Sequence, residues 1–226
     1  MIGQLLSNEA VSEALQIIQN EFLLAIWETV YVTLLSTLFS VIIGLPLGML
    51  LVVGEKDGVL PLPRPVLTVL GVVINLLRSI PFLILMILVI PLTRVIVGTS
   101  VGTTASIVPL VIAAAPFVAR LVESSLRELN PNIIEAAQSM GASPMQIITK
   151  VMIPESVPSL MSNLTIAVTT ILGYSAMSGI IGGGGLGKIA INYGYYRYKY
   201  LVMIVAVFFL IVLVQIFQSI GTRISV

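Results

Sequence analysis

Residues 200–222 read YLVMIVAVFFLIVLVQIFQSIGT and include no charged side chain. A helix needs about 20 mostly apolar residues to cross the roughly 30 Å hydrocarbon core of a bilayer, because each helical residue advances it by about 1.5 Å. This stretch is long and apolar enough to do so, and Arg223 follows it where a charge can reach the membrane surface. It predicts a membrane-spanning helix.

Composition extends this prediction to the whole chain. Of 226 residues, 58% are hydrophobic and 9% are charged, whereas an ordinary soluble domain has roughly 45–50% and about 25%. A soluble domain of this size could not bury so much apolar surface. The expected fold class is therefore an all-α membrane protein.

Charged residues delimit four more apolar runs. We predict spans between Glu28 and Glu55 and within residues 65–93, 104–122 and 156–187, which gives five spans in one transmembrane domain covering residues 1–226. No glutamate is expected inside a span, and Arg78 is the only charge well inside one. The glycine run at 182–185 should end the fourth helix before Lys188.

An odd number of spans places the two termini on opposite sides of the membrane. With the N-terminus outside and the C-terminus inside, inner segments carry six Lys and Arg residues and outer segments four, as the positive-inside rule favours. Residues 1–27 contain no Lys or Arg, which supports this orientation and argues against a cleaved signal peptide. We expect residues 3–22 to form an interfacial amphipathic helix on the outer surface.

Several functions are disfavoured by what the sequence lacks. It contains no cysteine or histidine, so disulfides, zinc sites of the usual kind, thiol nucleophiles and imidazole bases are not expected. The net charge is +1 without a basic run, and nucleic acid is therefore not an expected partner. Neither a metal nor a cofactor is predicted.

The longest polar stretch, residues 123–155, has the signals of two short helices. Asn130 can cap a helix that has Pro131 at its first position, and Gly141 suits the left-handed residue after its last turn. Ser143 and Pro144 repeat the start signal, and Pro154 is expected to turn the chain back into the membrane.

The sequence GGGGLGKI at 182–189 partly fits a phosphate-binding loop and a dinucleotide fingerprint. A phosphate loop needs Ser or Thr where Ile189 stands, and both motifs should follow a strand. We therefore interpret this stretch as a flexible turn, and we expect the chain not to bind ATP itself.

Some polar residues lie within predicted spans. A central Arg78 would cost at least about 2.5–3.5 kcal/mol in lipid, so it either holds a carboxylate or lies nearer the interface and snorkels. Candidate pathway or gate residues in the fourth span are Thr169, Tyr174, Ser175 and Met177, and simple helix packing is the alternative. Tyrosines from Tyr193 to Tyr200 predict an interfacial belt or, alternatively, a docking surface for a delivery protein.

EAAQSMG at 135–141, followed at a fixed distance by VMIPES at 151–156, resembles the EAA loop of bacterial ABC importer permeases. RSIPF at 78–82, AAAPFVAR at 113–120, GYSAMSG at 173–179 and GGGGLG at 182–187 resemble the methionine-uptake branch of that family. The likeness extends from about Trp27 to the C-terminus.

This resemblance implies a cytoplasmic coupling loop that docks on a separate ABC ATPase subunit. The coupling residues it implies are Glu135, Ala136, Ala137, Gly141, Met145, Ile153 and Pro154. It further implies a non-enzymatic permease subunit of the bacterial inner membrane. Such a subunit would work as a homodimer with two ATPase copies and an extracytoplasmic substrate-binding protein, moving methionine or a similar small amino acid by alternating access. A secondary transporter or channel for a small neutral solute is the remaining alternative.

Overall fold

The computed structural model describes residues 8–225, with side chains from Val11 onward. Within that range every regular element is helical, which confirms the all-α class. The helices are α1 (Asn8–Val53), α2 (Arg64–Ser79), α3 (Phe82–Leu88), α4 (Ile90–Val97), α5 (Ile107–Arg127), α6 (Pro131–Ser139), α7 (Pro144–Ile147), α8 (Ile153–Ser178), α9 (Gly185–Ile189) and α10 (Tyr200–Ile224). One π-helical turn, Ile148–Met152, joins α7 to α8, and another, Ala190–Tyr196, follows α9.

Four described segments are long and apolar enough to cross a membrane: Val11–Val53, Ile107–Arg127, Pro144–Ile181 and Tyr200–Ile224. A fifth span exists if α2 and α3 are counted together, which agrees with the predicted number. The candidate helices extend beyond the predicted spans, and Ile107–Arg127 includes Glu123 near its C-terminal end. Its carboxylate is ion-paired with two arginines.

The second predicted span is broken at Ile80 and Pro81. Pro81 offers no backbone N–H and disfavours a helical conformation in the residue before it, and Ile80 is accordingly extended, with φ −80° and ψ 127°. Arg78 therefore lies in the last turn of α2, where a cation suits the helix dipole. Its side chain is exposed on the single chain.

The first helix is longer than its predicted span. The helix expected over residues 3–22 is described from Asn8, the earlier part lying outside the described residues, and it runs without a break into the first span. With 46 residues at about 1.5 Å each, α1 is about 69 Å long, more than twice the thickness of the hydrocarbon core. Part of α1 must therefore lie outside the hydrocarbon.

The chain divides into two compact units. The first comprises residues up to 37, 81–111 and 168–217, and the second comprises residues 38–80, 112–167 and those from 218 onward. Phe22, Leu186 and Val202 belong to the buried core of the first unit. Val118 and Ile147 belong to the main core of the second.

Candidate functional site

The polar stretch 123–155, called the polar segment below, belongs to the second unit and has the predicted caps. The Asn130 side chain accepts a hydrogen bond from the Asn132 N–H at 3.0 Å, with Pro131 at the first helical position. After α6, Gly141 is left-handed with φ +77°. The Ala142 N–H donates to the Ala137 carbonyl at 3.1 Å, so the end of the helix is satisfied as the glycine signal predicted.

The second helix of the polar segment differs from the prediction. It starts as expected, with the Ser143 N–H donating to Gln146 Oε1 at 2.9 Å, but it does not end at Pro154. Instead, α7 continues through the π-helical turn into α8, whose first turn contains Pro154. The wider π-helical turn changes which backbone carbonyls accept hydrogen bonds from N–H groups. Near Pro154, the Ser156 hydroxyl donates a hydrogen bond to the Met152 carbonyl at 2.5 Å.

One face of the polar segment is buried in the second unit. Its buried apolar side chains, which pack in one cluster with Val122, are Leu126, Ala137, Ile147, Ile148 and Met152. This burial fixes the orientation of α6 and α7. Ala137 was expected to contact a partner directly, but it is only 4% exposed, so it holds α6 in place instead.

The exposed face of the polar segment includes several apolar side chains. Met140 is 81% exposed, Met145 66% and Ile133 36%, and Glu135 and Ala136 are exposed beside them. Flexible methionine side chains are typical of surfaces that bind a partner. Ile153 is half-buried and Pro154 exposed, but both lie in the continuous helix beyond the π-helical turn.

A charge network that the sequence analysis missed lies directly before the polar helices. The buried carboxylate of Glu123 pairs with Arg120 at 2.5 Å and with Arg127 at 2.9 Å. Arg127 also pairs with Glu55 at 2.7 Å, and Arg120 donates to Asn75 Oδ1 at 2.8 Å. The spacing of Arg120, Glu123 and Arg127 at i, i+3 and i+7 along one helix was the available signal.

Polar contacts also join α5 to α8. The Ser159 hydroxyl donates to Glu128 Oε2 at 2.6 Å, and Asn163 Nδ2 donates to Ser125 Oγ at 2.8 Å. Together with the charge network, these bonds fix both ends of the polar segment within the second unit.

The glycine stretch in the first unit holds a carboxylate of its own chain. The Gly185 N–H donates to Glu28 Oε2 at 2.7 Å and the Thr103 hydroxyl donates to Glu28 Oε1, also at 2.7 Å. The Leu186 N–H donates to Thr29 Oγ1. These donors are occupied within the protein, and the stretch begins a helix without a preceding strand in residues 8–225.

The candidate pathway residues of α8 do not share one face. Ser175 is buried and its hydroxyl donates to the Leu172 carbonyl at 2.7 Å. Tyr174 stacks on Phe82 with ring centroids 4.4 Å apart. Met177 is 42% exposed, whereas Thr169 is half-buried.

Comparison with known proteins identifies the family to which this chain belongs. Residues 44–225 match the family model described as the binding-protein-dependent transport system inner membrane component. The chain belongs to this family. Family membership makes it a multi-pass inner-membrane component, in agreement with its long apolar helices.

The sequence is also similar to individual permease proteins. The chain is 52% identical over 199 residues, 88% of each protein, to the probable D-methionine transport system permease protein MetI of Vibrio cholerae. It is 49% identical over 154 residues, 68% of this chain and 70% of the relative, to the D-methionine transport system permease protein MetI of Escherichia coli K12.

Solved structures confirm the fold. A structure of inward-facing MetNI methionine ABC transporter superposes with a TM-score of 0.88 at 45% identity, covering 90% of this chain and 94% of that one. An amino acid ABC transporter crystallised with histidines has a TM-score of 0.74 at 19% identity, over 95% of each chain, which shows a shared fold alone.

Proposed function

We propose that this chain is the channel-forming permease subunit of an ATP-driven importer for methionine or a similar small amino acid. The observation that carries this proposal is the divided surface of the polar segment. Buried Ala137 and Ile147 hold it rigidly, while Met140 and Met145 face outward. Exposed apolar side chains on a capped, anchored helix pair suit docking into the groove of an ATPase subunit.

The contacts of the polar segment suggest how ATP binding would move the membrane helices. ATP binding by two ATPase copies would draw together the polar segments of two permease chains. Because α5 runs directly into this segment and Ser159 of α8 donates to Glu128 at its start, the helices would tilt between inward-open and outward-open states. In this proposal the N-terminus is outside, the C-terminus is inside, and the chain contributes no catalytic residue.

The substrate is proposed from the relatives and from the character of α8. The named relatives are methionine permeases, and the exposed residues of α8 near its C-terminal end, Gly173 and Met177, are uncharged. Such a surface suits a small solute that an extracytoplasmic binding protein hands over rather than one held by charge. Independently of α8, we propose Arg78, exposed at the end of α2 in the second unit, as a contact for the solute carboxylate.

Uptake and assembly test this proposal together. We expect Met140→Asp combined with Met145→Asp to abolish capture of the ATPase subunit and ATP-dependent uptake of labelled methionine, because charge would enter an apolar contact. Leu60→Asp is the matched control, since Leu60 is a 44% exposed residue of the second unit outside the polar segment. Unchanged ATPase capture by the double variant would contradict the proposal.

A further inference from the structure

The first unit contains a polar cleft that the proposed transport cycle does not use. It has a volume of about 370 Å³ and lies between α1, the start of α9 and the π-helical turn Ala190–Tyr196. Its charged lining consists of two carboxylates, Glu21 and Glu28, and two cations, Lys188 and Arg197. The cleft is therefore neutral overall but contains both signs of charge.

The charges in this cleft are not paired with each other. Among the described residues, no carboxylate lies within ion-pair distance of Lys188 or Arg197. Arg197 instead lies over the Tyr193 ring, 4.8 Å from its centroid. The cavity is thus lined by two cations and two carboxylates that form no ion pair with one another. A ligand can therefore pair with charges of either sign.

The carboxylates are held in fixed positions. Tyr193 donates its hydroxyl to Glu21 Oε1, and this bond, followed by burial, raises the pKa of the tyrosine, so it stays a donor. Glu28 is fixed by Gly185 and Thr103 at 2.7 Å each. A carboxylate has about four acceptor positions, so both can still accept from an ammonium group.

Apolar side chains around the cleft indicate its depth in the membrane. On α1, Leu23 is 81% exposed, Leu24, which lines the cleft, 62% and Trp27 65%. Tyr195 and Tyr196 are also exposed, at 69% and 58%. Exposed leucines next to tryptophan and tyrosine are typical of the level of the lipid headgroups.

We propose that this cleft binds a zwitterion, with the anionic group between Lys188 and Arg197 and the ammonium group at Glu21 and Glu28. Two sources share this chemistry, the headgroup of phosphatidylethanolamine and a free α-amino acid. The site does not depend on the proposed transport function, because neither the polar segment nor an ATPase takes part in it.

Native mass spectrometry of the full-length chain tests the lipid source. After exchange into mixed phosphatidylethanolamine and phosphatidylglycerol, we expect wild type to retain the ethanolamine lipid preferentially. K188Q combined with R197Q should reduce that retention roughly tenfold, through loss of two charge-assisted contacts. K199Q is the matched control, since Lys199 is already paired with Glu13 at 2.9 Å and does not line the cleft.

A second variant separates zwitterion binding from attraction of any anion. E21Q should abolish the preference for phosphatidylethanolamine while leaving phosphatidylglycerol retention unchanged, and a wild-type thermal midpoint shows that it is folded. A parallel titration with free methionine identifies the amino-acid source if binding is lost in K188Q with R197Q but kept in K199Q. The proposal is overturned if wild type prefers phosphatidylglycerol and also binds methionine no better than the double variant does, or if it retains neither zwitterion better than the double variant does.

Discussion

At the scale of single residues, a close approach between α1 and α5 in the second unit depends on two glycines of α1. A Cβ added to Gly44 would lie 2.8 Å from the Ala115 carbonyl oxygen, and one added to Gly48 would lie 2.2 Å from that of Ala119. The two positions are one turn apart on the same face of the helix. Close packing of this kind stabilises helix pairs in lipid, where the hydrophobic effect does not.

We expect Gly48→Ala to destabilise the protein by roughly 1–3 kcal/mol, because the methyl group meets a backbone carbonyl that cannot rotate away. The measurement is the free energy of unfolding in detergent. Gly173→Ala on α8 is the control, since nothing lies within 4 Å of its added Cβ and alanine favours helix. Equal stabilities for the two variants would show that α1 and α5 can move apart without cost.

Gly141 allows a test of the turn between α6 and α7. Its φ of +77° strains any side chain, although no atom lies within 4 Å of an added Cβ. Gly141→Val should therefore cost about 1–2 kcal/mol locally and shift α6 against α7. We expect the complex to assemble and hydrolyse ATP without uptake, as measured with labelled methionine in proteoliposomes.

The matched control for that variant is Gly98→Val. Gly98 ends α4 with φ +82° and has the same open space around it, but it lies in the first unit, outside the polar segment. It should bear the same backbone strain and keep uptake coupled to hydrolysis. If both variants couple normally, the geometry of the Gly141 turn has no part in transmitting movement.

At the scale of elements, the charge network connects α5 with α2 and with the residues just after α1. Glu123 has two cationic partners, so Glu123→Gln leaves Arg120 without an ion pair and Arg127 with Glu55 as its remaining carboxylate partner. We expect a loss of roughly 1–3 kcal/mol, less than for a fully buried pair because Arg127 is 46% exposed. Asp57→Asn, at an exposed position, should change little. A Gln variant as stable as wild type in chemical unfolding would contradict this role.

Sequence patterns predicted some elements and not others, for physical reasons. The caps of α6 were readable because Asn130, Pro131 and Gly141 act within one turn of the helix end. The break at Pro81 was missed because an uncharged run on both sides outweighed one proline. The π-helical turn before Pro154 leaves no local signature, since its backbone depends on packing of Ile148 and Met152 in the core of the second unit.

At the scale of the whole molecule, composition fixed the class and the approximate number of spans, because the bilayer sets one length for every helix. Contacts between distant residues could not be predicted in the same way. Glu28 and Gly185 are 157 positions apart, and neither position carries a local sign of the other. The burial of Ala137 was equally hidden, because both alanines of EAA suit close packing and only the fold decides which one faces inward.

The proposed homodimer gives the most direct prediction at this scale. The chain contains no cysteine, so a single introduced thiol has no partner within its own chain. If α8 lines a two-fold axis, Met177→Cys should form dimers on mild oxidation in membranes, because a disulfide requires Cα atoms within about 7 Å. Val207→Cys, on α10 with similar exposure of 44% against 42%, is the control and should stay monomeric.

The yield of the disulfide at Met177→Cys should also change when the ATPase binds ATP, since alternating access alters the distance between the two copies of α8. Cross-linking at Val207 but not at Met177 would place α10 rather than α8 at the axis.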